Sequence, residues 1–184
     1  MADTFFRLLE AWLSPGAAPG PAGHRNDGVA HRHSPALALA QTDRKMRIEN
    51  EILMIAPRFA DRGGVDFDEA NGDWMRIQRF ALPERWQDRW AQLLVVFPQT
   101  YPVSPPLGFY LDKRFPLAGG SGDPHLTGSA HYGAPDLLAQ GWHWYCVKPL
   151  AAADGGWRPS ADYRAPDNLW SFLALVRDVL SNDQ

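Results

Sequence analysis

The chain has a single cysteine, Cys146, and its thiol is the side chain best suited to covalent chemistry, because a thiolate is both a nucleophile and a metal ligand. It lies in an aromatic stretch at residues 141–157, GWHWYCVKPLAAADGGW, with His143 three residues before it. A buried cysteine acts as a small hydrophobic residue, whereas a partly exposed one can react. The flanking residues alone favour the buried interpretation.

A histidine near the thiol would allow two further kinds of site. In a thiol hydrolase, Cys146 would act with a histidine base that a third group orients. A metal site would use His125, His131, His143 and Cys146. Metal sites normally contain closely spaced ligand pairs, and only His143 and Cys146 form one. His131 belongs to a segment rich in Gly and Ser, residues 116–135, which is typical of a long surface loop.

Length and composition bound the class of protein. The 184 residues suit one domain with an extension, and the apolar fraction of 45% is that of a globular protein. The formal charge is -3 with both signs mixed along the chain, so we do not expect nucleic acid as a partner. A lone cysteine cannot form an internal disulfide, no apolar run reaches membrane-spanning length, and the first residues fit a signal peptide poorly. We therefore expect a cytoplasmic protein with no membrane partner and no cofactor.

The chain is predicted to begin with a helix and a linker. Residues 1–14 have apolar side chains at helical spacing, which predicts a short amphipathic helix. Residues 15–41 are rich in Pro, Gly and Ala without any period, which is typical of a linker. The folded domain is then expected to cover residues 42–184.

A helix and an antiparallel meander are predicted to open this domain. Residues 42–56 carry one broad apolar stripe, and Thr42 or Asp43 would cap the helix. Three strands follow, and the Asn-Gly pair between the first two is a strong hairpin signal. The predicted strands cover residues 65–68, 74–82 and 90–97.

A proline-rich crossover follows the third strand. Residues 97–111 read FPQTYPVSPPLGFYL, and prolines at this density cannot lie in a hydrogen-bonded ladder. The chain should therefore leave the sheet at Pro98 and return near Leu107 for a fourth strand. After the cysteine stretch, Asp167 is predicted to cap a last amphipathic helix, DNLWSFLALVRDVL. The predicted fold class is α+β, a four-stranded antiparallel meander flanked by an N-terminal and a C-terminal helix.

This order of elements resembles a ubiquitin-conjugating enzyme, over about residues 42–181. Cys146 falls where that family has its thioester-forming cysteine, and residues 157–160, Trp-Arg-Pro-Ser, stand where its Trp-x-Pro segment follows. The resemblance is greatest to the divergent bacterial members, which accompany a ubiquitin-like protein, an activating enzyme and a deconjugating metalloprotease. The most specific match is the crossover, where six residues agree position for position: Phe97, Pro98, Tyr101, Pro102, Pro105 and Pro106.

The resemblance implies a transferase. Cys146 would accept a ubiquitin-like modifier as a thioester from an activating enzyme and pass it to an amine of a target protein, as some bacterial relatives do in antiviral defence. A target lysine must lose its proton before it attacks, and nearby acids would help it. Asp154, Asp162 and Asp167 lie in the right part of the chain, and each also fits a turn or a cap.

One motif of the family is missing. Its His-Pro-Asn tripeptide, whose Asn helps to stabilise the oxyanion, should lie about eight to ten residues before the cysteine. That window here reads Asp136-Leu137-Leu138, and the nearest candidates to supply a donor instead are His143 and His131. The missing Asn also favours an alternative function, a noncatalytic member of the same fold that binds ubiquitin-like proteins or partner enzymes. The hydrolase and the metal site are alternatives of a different class.

Overall fold

A computed structural model describes residues 35–84, 86, 88–113, 133–147 and 156–181, with the backbone alone for residues 35–42. The chain divides into two compact units, Met1–Asp43 and Arg44–Gln184, and the sheet belongs to the second. Several predicted features lie outside the described residues: the helix 1–14, the linker up to residue 34, His125, His131 and Asp154.

The first helix among the described residues, α1, is longer than predicted. It runs from Pro35 to Ile55, so residues 35–41 are helical rather than part of a linker, and neither Thr42 nor Asp43 is a cap. The physical reason is the local sequence PALALAQ, in which Ala, Leu and Gln are good helix formers and Pro is tolerated in the first turn. A 3-10 helix, Ala56–Arg62, continues from α1 and ends at Gly63, whose φ of 85° is left-handed.

In the part of the chain that the structure describes, the sheet has five antiparallel strands in the order β1-β2-β3-β4-β5. The four predicted strands are confirmed, and the α+β class with them, but the number four is wrong because the cysteine stretch forms a fifth strand. That strand is only four residues long and its mixture of His, Trp, Tyr and Cys gives no alternating pattern. The strands and the last helix, α2, are β1 Val65–Phe67, β2 Trp74–Ala81, β3 Trp90–Val96, β4 Gly108–Leu111, β5 His143–Cys146 and α2 Leu169–Ser181.

One face of the sheet packs against α1 and α2 and forms the main core. The predicted apolar stripe of α2 is buried there. No helix among the described residues is both long enough and apolar enough to span a membrane. The strand residues that belong to the main core include Met75, Ile77, Leu93, Val95, Phe109, Leu111 and Tyr145.

The cap of α2 is Asn168 rather than the predicted Asp167. The Asn168 side-chain oxygen accepts hydrogen bonds from the backbone N–H groups of Trp170 at 3.0 Å and Ser171 at 3.1 Å. The Asp167 carboxylate instead accepts from the backbone N–H of Arg158 at 2.6 Å. Asp and Asn are equally good caps, and at position 168 the side-chain N–H2 group of Asn also donates to the carbonyls of Tyr163 at 2.9 Å and Ala165 at 3.1 Å, which a carboxylate cannot do.

A fully buried carboxylate, Glu51, joins three elements. Its Oε2 accepts hydrogen bonds from the backbone N–H of Leu169, at 2.6 Å, and from the hydroxyl of Tyr101. Arg47 donates to the other oxygen and also to the carbonyl of Ser160, at 2.5 Å. Burial, and then the charge of Glu51, raise the pKa of Tyr101, so its hydroxyl stays protonated as the donor. One carboxylate therefore ties α1, the crossover and the start of α2 together.

Candidate active site around Cys146

The pairing of β4 with β5 brings the crossover and the thiol together. Cys146 lies directly opposite Gly108, the first residue of β4 and the first after the crossover. The pairing continues one residue further, since the backbone N–H of Val147 donates to the carbonyl of Leu107 at 3.0 Å. Within the described sheet β5 is an edge strand, and Cys146 stands at its end, half-buried.

Cys146 and His143 lie on opposite faces of the sheet. Side chains alternate along a strand, and Tyr145 belongs to the main core, so His143 shares the core face while Cys146 shares the other face with Trp144. Three residues of extended chain also separate their Cα atoms by about 10 Å. The structure therefore does not bring His143 to the thiol as a base, a donor or a second metal ligand. His131 lies outside the described residues.

The space beside Cys146 is set by a glycine and a tryptophan. Gly108 has no side chain to place opposite the thiol. The Trp144 indole packs directly on Gly108, so a Cβ at that position would lie 2.6 Å from the indole Nε1 and 2.4 Å from the carbonyl oxygen of Tyr145. Trp144 is buried, whereas Cys146 is half-buried. Gly108 thus leaves the position opposite Cys146 without a side chain, and the half-burial of Cys146 lies between the two interpretations of the thiol.

Replacing Gly108 with alanine should destabilise the protein, because the new methyl group cannot coexist with the backbone carbonyl of Tyr145 at its present distance. Overpacking of this kind costs about 1–3 kcal/mol in free energy of unfolding, measured by urea titration. A second variant, Gly108→Ala with Trp144→Ala, removes the indole but leaves the carbonyl, so it should not restore stability. Wild-type stability of the single variant would show that β4 and β5 are not paired in this register.

The crossover is held by contacts at its start and in its middle. At its start, Arg44 donates to the carbonyls of Phe97 at 3.2 Å and Pro98 at 3.1 Å, and pairs with Asp73 at 3.0 Å. Burial lowers the pKa of Arg44 and raises that of Asp73, while their mutual attraction opposes both shifts. Both side chains are almost fully buried, so this is a buried ion pair that holds the start of the crossover against α1, and not a surface ion pair.

Further along, the crossover packs on the segment that follows the cysteine. The Trp157 indole N–H donates to the carbonyl of Pro102 at 2.6 Å, and the ring centroids of Trp157 and Tyr101 are 6.3 Å apart. Trp157 is buried by these contacts. Two stretches that are 55 residues apart in sequence are therefore in direct contact.

The window that lacks the His-Pro-Asn tripeptide lies over the same face of the sheet as Cys146. The Tyr110 hydroxyl, on that face, donates to the carbonyl of Pro135 at 2.7 Å, and Leu137 is buried. Asp136 is exposed and accepts a hydrogen bond from the backbone N–H of Leu138 at 3.1 Å. Burial, and then Asp136, raise the pKa of Tyr110. The side chains at 136–138 are thus an acceptor and two apolar groups, none of which can donate to an oxyanion.

Asp162 and Asp167, two of the acids expected to help a target lysine lose its proton, instead make hydrogen bonds to the backbone. Asp162 accepts a hydrogen bond from the backbone N–H of Arg164 at 3.0 Å, as in an Asx turn, and Asp167 holds the N–H of Arg158. These are the turn-forming roles that the residue types also fit. Nothing in the geometry assigns either of them to the thiol.

Two residues that matter to the site were missed in the sequence. Glu51 lies between Ile48, Ile52 and Ile55 on the apolar stripe of α1, and a charge on a core stripe signals a buried network. Gly108 opens a strand directly after a proline run, where an isolated glycine signals close approach of another group. The chain matches no protein-family model, no curated protein and no solved structure.

Proposed function

We propose that this protein is a conjugating enzyme of the ubiquitin-conjugating superfamily, acting on a ubiquitin-like protein. The Cys146 thiolate attacks the carbonyl carbon of the modifier's C-terminal thioester on an activating enzyme. A new C–S bond forms as the old one breaks, and the activating enzyme's cysteine leaves as a thiolate. A neutral amine of a target protein then attacks the same carbon, the C–S bond to Cys146 breaks, and one proton is released.

The observation that carries the proposal is the pairing of Cys146 with Gly108. It sets a half-buried thiol at an edge of the sheet, beside the end of a proline-rich crossover, with no side chain opposite. A thioester-forming cysteine must admit the extended C-terminal tail of another protein, and an open edge suits that requirement. The contact between Trp157 and the crossover adds support, because it joins the two other motifs of the resemblance.

The proposal extends to the pathway that the bacterial relatives serve. The activating enzyme, the ubiquitin-like protein and the target protein are its partners, the reaction belongs to the cytoplasm, and antiviral defence is its setting. These assignments rest on the resemblance alone.

A thioester-loading assay tests the proposal. The full chain is incubated with its ubiquitin-like protein, the activating enzyme and ATP, and the products are separated on a non-reducing gel. We expect an adduct that thiols remove in the wild type, and a thiol-resistant ester in Cys146→Ser. If the activating enzyme is charged and no adduct forms, the protein is not a conjugating enzyme.

One observation favours a second candidate function, a noncatalytic binding module on the same fold. The window at 136–138 offers no donor, and His143 lies on the opposite face from the thiol, so neither that window nor that histidine replaces the missing Asn. Discharge of a loaded wild-type chain by free lysine separates the two functions. Release of the modifier within minutes supports the enzyme, while binding of the ubiquitin-like protein without any adduct supports the module.

A further inference from the structure

A small groove lies where the 3-10 helix, the end of β2 and α2 meet. Its lining residues are distant from Cys146 in the sequence. Its volume is about 50 Å³. One water needs about 10–15 Å³, and pockets for drug-sized ligands measure about 300–1,000 Å³. The groove therefore has room for one apolar side chain and no more. We call it the arginine–tryptophan groove; it comprises Arg58 and the lining residues Phe59, Phe80, Trp170, Leu173, Ala174 and Arg177.

Two exposed arginines border this groove and lie near its aromatic rings. The Arg58 guanidinium carbon lies 4.1 Å from the ring centroid of Trp170, and that of Arg177 lies 5.9 Å from Phe80. Neither arginine forms an ion pair with any described residue. A guanidinium near a ring and without a carboxylate partner keeps N–H groups that can bind a carboxylate with two hydrogen bonds. The rim of the groove is thus positioned for an anion.

The positive charge extends beyond the groove. Arg62 and Arg79 stand 5.5 Å and 4.9 Å from the ring centroid of Trp90, next to the same end of β2. Of these four arginines, Arg62 alone has a carboxylate partner among the described residues, the exposed Asp61 at 3.7 Å. These four arginines lie around one end of β2, in a chain whose formal charge is -3.

We propose that the arginine–tryptophan groove docks a peptide segment of a partner protein, in which one aliphatic or aromatic residue fills the groove and flanking acidic residues bind Arg58 and Arg177. The apolar lining recognises the anchor and the two arginines recognise the acids on either side. The site does not depend on the thiol chemistry.

Single-stranded nucleic acid fits this surface less well. Such ligands stack their bases on open aromatic faces. Here a guanidinium already lies over a face of Trp170 and two lie near Trp90, and the groove itself is too small for a base.

A binding experiment with the full chain tests the proposal. The probe is a fluorescein-labelled peptide of about ten residues with a central leucine between Glu and Asp residues, measured by anisotropy at about 50 mM salt, where screening is weak. We expect saturable binding that weakens as salt is added. A peptide with Gln and Asn in place of the acids, and one with serine in place of leucine, should each bind about tenfold more weakly or worse.

Matched variants locate the site. Arg58→Glu with Arg177→Glu should weaken binding by about tenfold or more, and Ala174→Leu, which fills the groove, should do the same without a change of charge. The control is Arg164→Glu, an exposed arginine over Tyr163 at 5.0 Å, which should change binding less than about twofold. All the changed residues are exposed, so unaltered melting temperatures are expected and are checked first.

Three results would overturn the proposal: equal binding of the acidic and amide peptides, equal loss in Arg164→Glu, or unaltered binding in Ala174→Leu. A thymidine decamer that displaces the peptide and loses its own binding in the arginine variants would assign the surface to nucleic acid instead. Cys146→Ser should bind the peptide like the wild type, so the outcome at the groove is independent of thioester loading.

Discussion

Replacing Glu51 with alanine is expected to lower the free energy of unfolding by about 3–5 kcal/mol, because the change leaves a buried cation and buried donors without their acceptor. Arg47 would lose its carboxylate in a site where its side chain is 10% exposed. The Tyr101 hydroxyl and the backbone N–H of Leu169 would also lose their partner. Urea unfolding followed by tryptophan fluorescence measures the loss.

A neighbouring carboxylate on the same helix provides the control. Glu49 pairs with Lys45 at 3.4 Å, and both side chains are about one third exposed. Since such surface pairs contribute about 0–1 kcal/mol, Glu49→Ala should be close to the wild type. If Glu51→Ala lost no more stability than Glu49→Ala, the hydrogen bonds of the Glu51 carboxylate would not be what holds α1, the crossover and α2 together.

Replacing Cys146 with alanine should abolish thioester formation and lower transfer by at least about a thousandfold, because the nucleophile itself is removed. The change should cost only about 1 kcal/mol of stability, since the thiol is half-buried at an edge of the sheet. Non-reducing gels measure loading, and urea titration measures stability. Extensive unfolding of Cys146→Ala would mean that the thiol is a core group.

His143→Ala is the matched control for that experiment. The residue is on the same four-residue strand as Cys146 but faces the main core, so its loss should leave loading within about threefold of the wild type after correction for any loss of folded protein. A base or an oxyanion donor would instead cost about 100-fold or more. A loss of that size in His143→Ala would contradict the strand register described here.

Local patterns in the sequence predicted most of the secondary structure. The first four strands, the crossover between β3 and β4 and the apolar stripe of α2 all follow from neighbouring residues, because side-chain period, proline geometry and turn preference act over a few residues. The predictions failed at β5, which has no alternating pattern, and at element ends. Helix α1 starts earlier and Asn168 replaces Asp167 as a cap, because several residues could serve and packing decides among them.

The sequence by itself determined the order of the first four strands, the crossover and α2, and it singled out the one thiol of the chain, Cys146. The tertiary structure alone decided what stands beside it: Gly108 opposite, Trp144 above Gly108, and His143 on the far face. It also decided that Glu51 is buried among partners from the crossover and α2. The physical reason is that strand pairing and helix packing join residues far apart in the chain, and no period within a few residues encodes which of them meet.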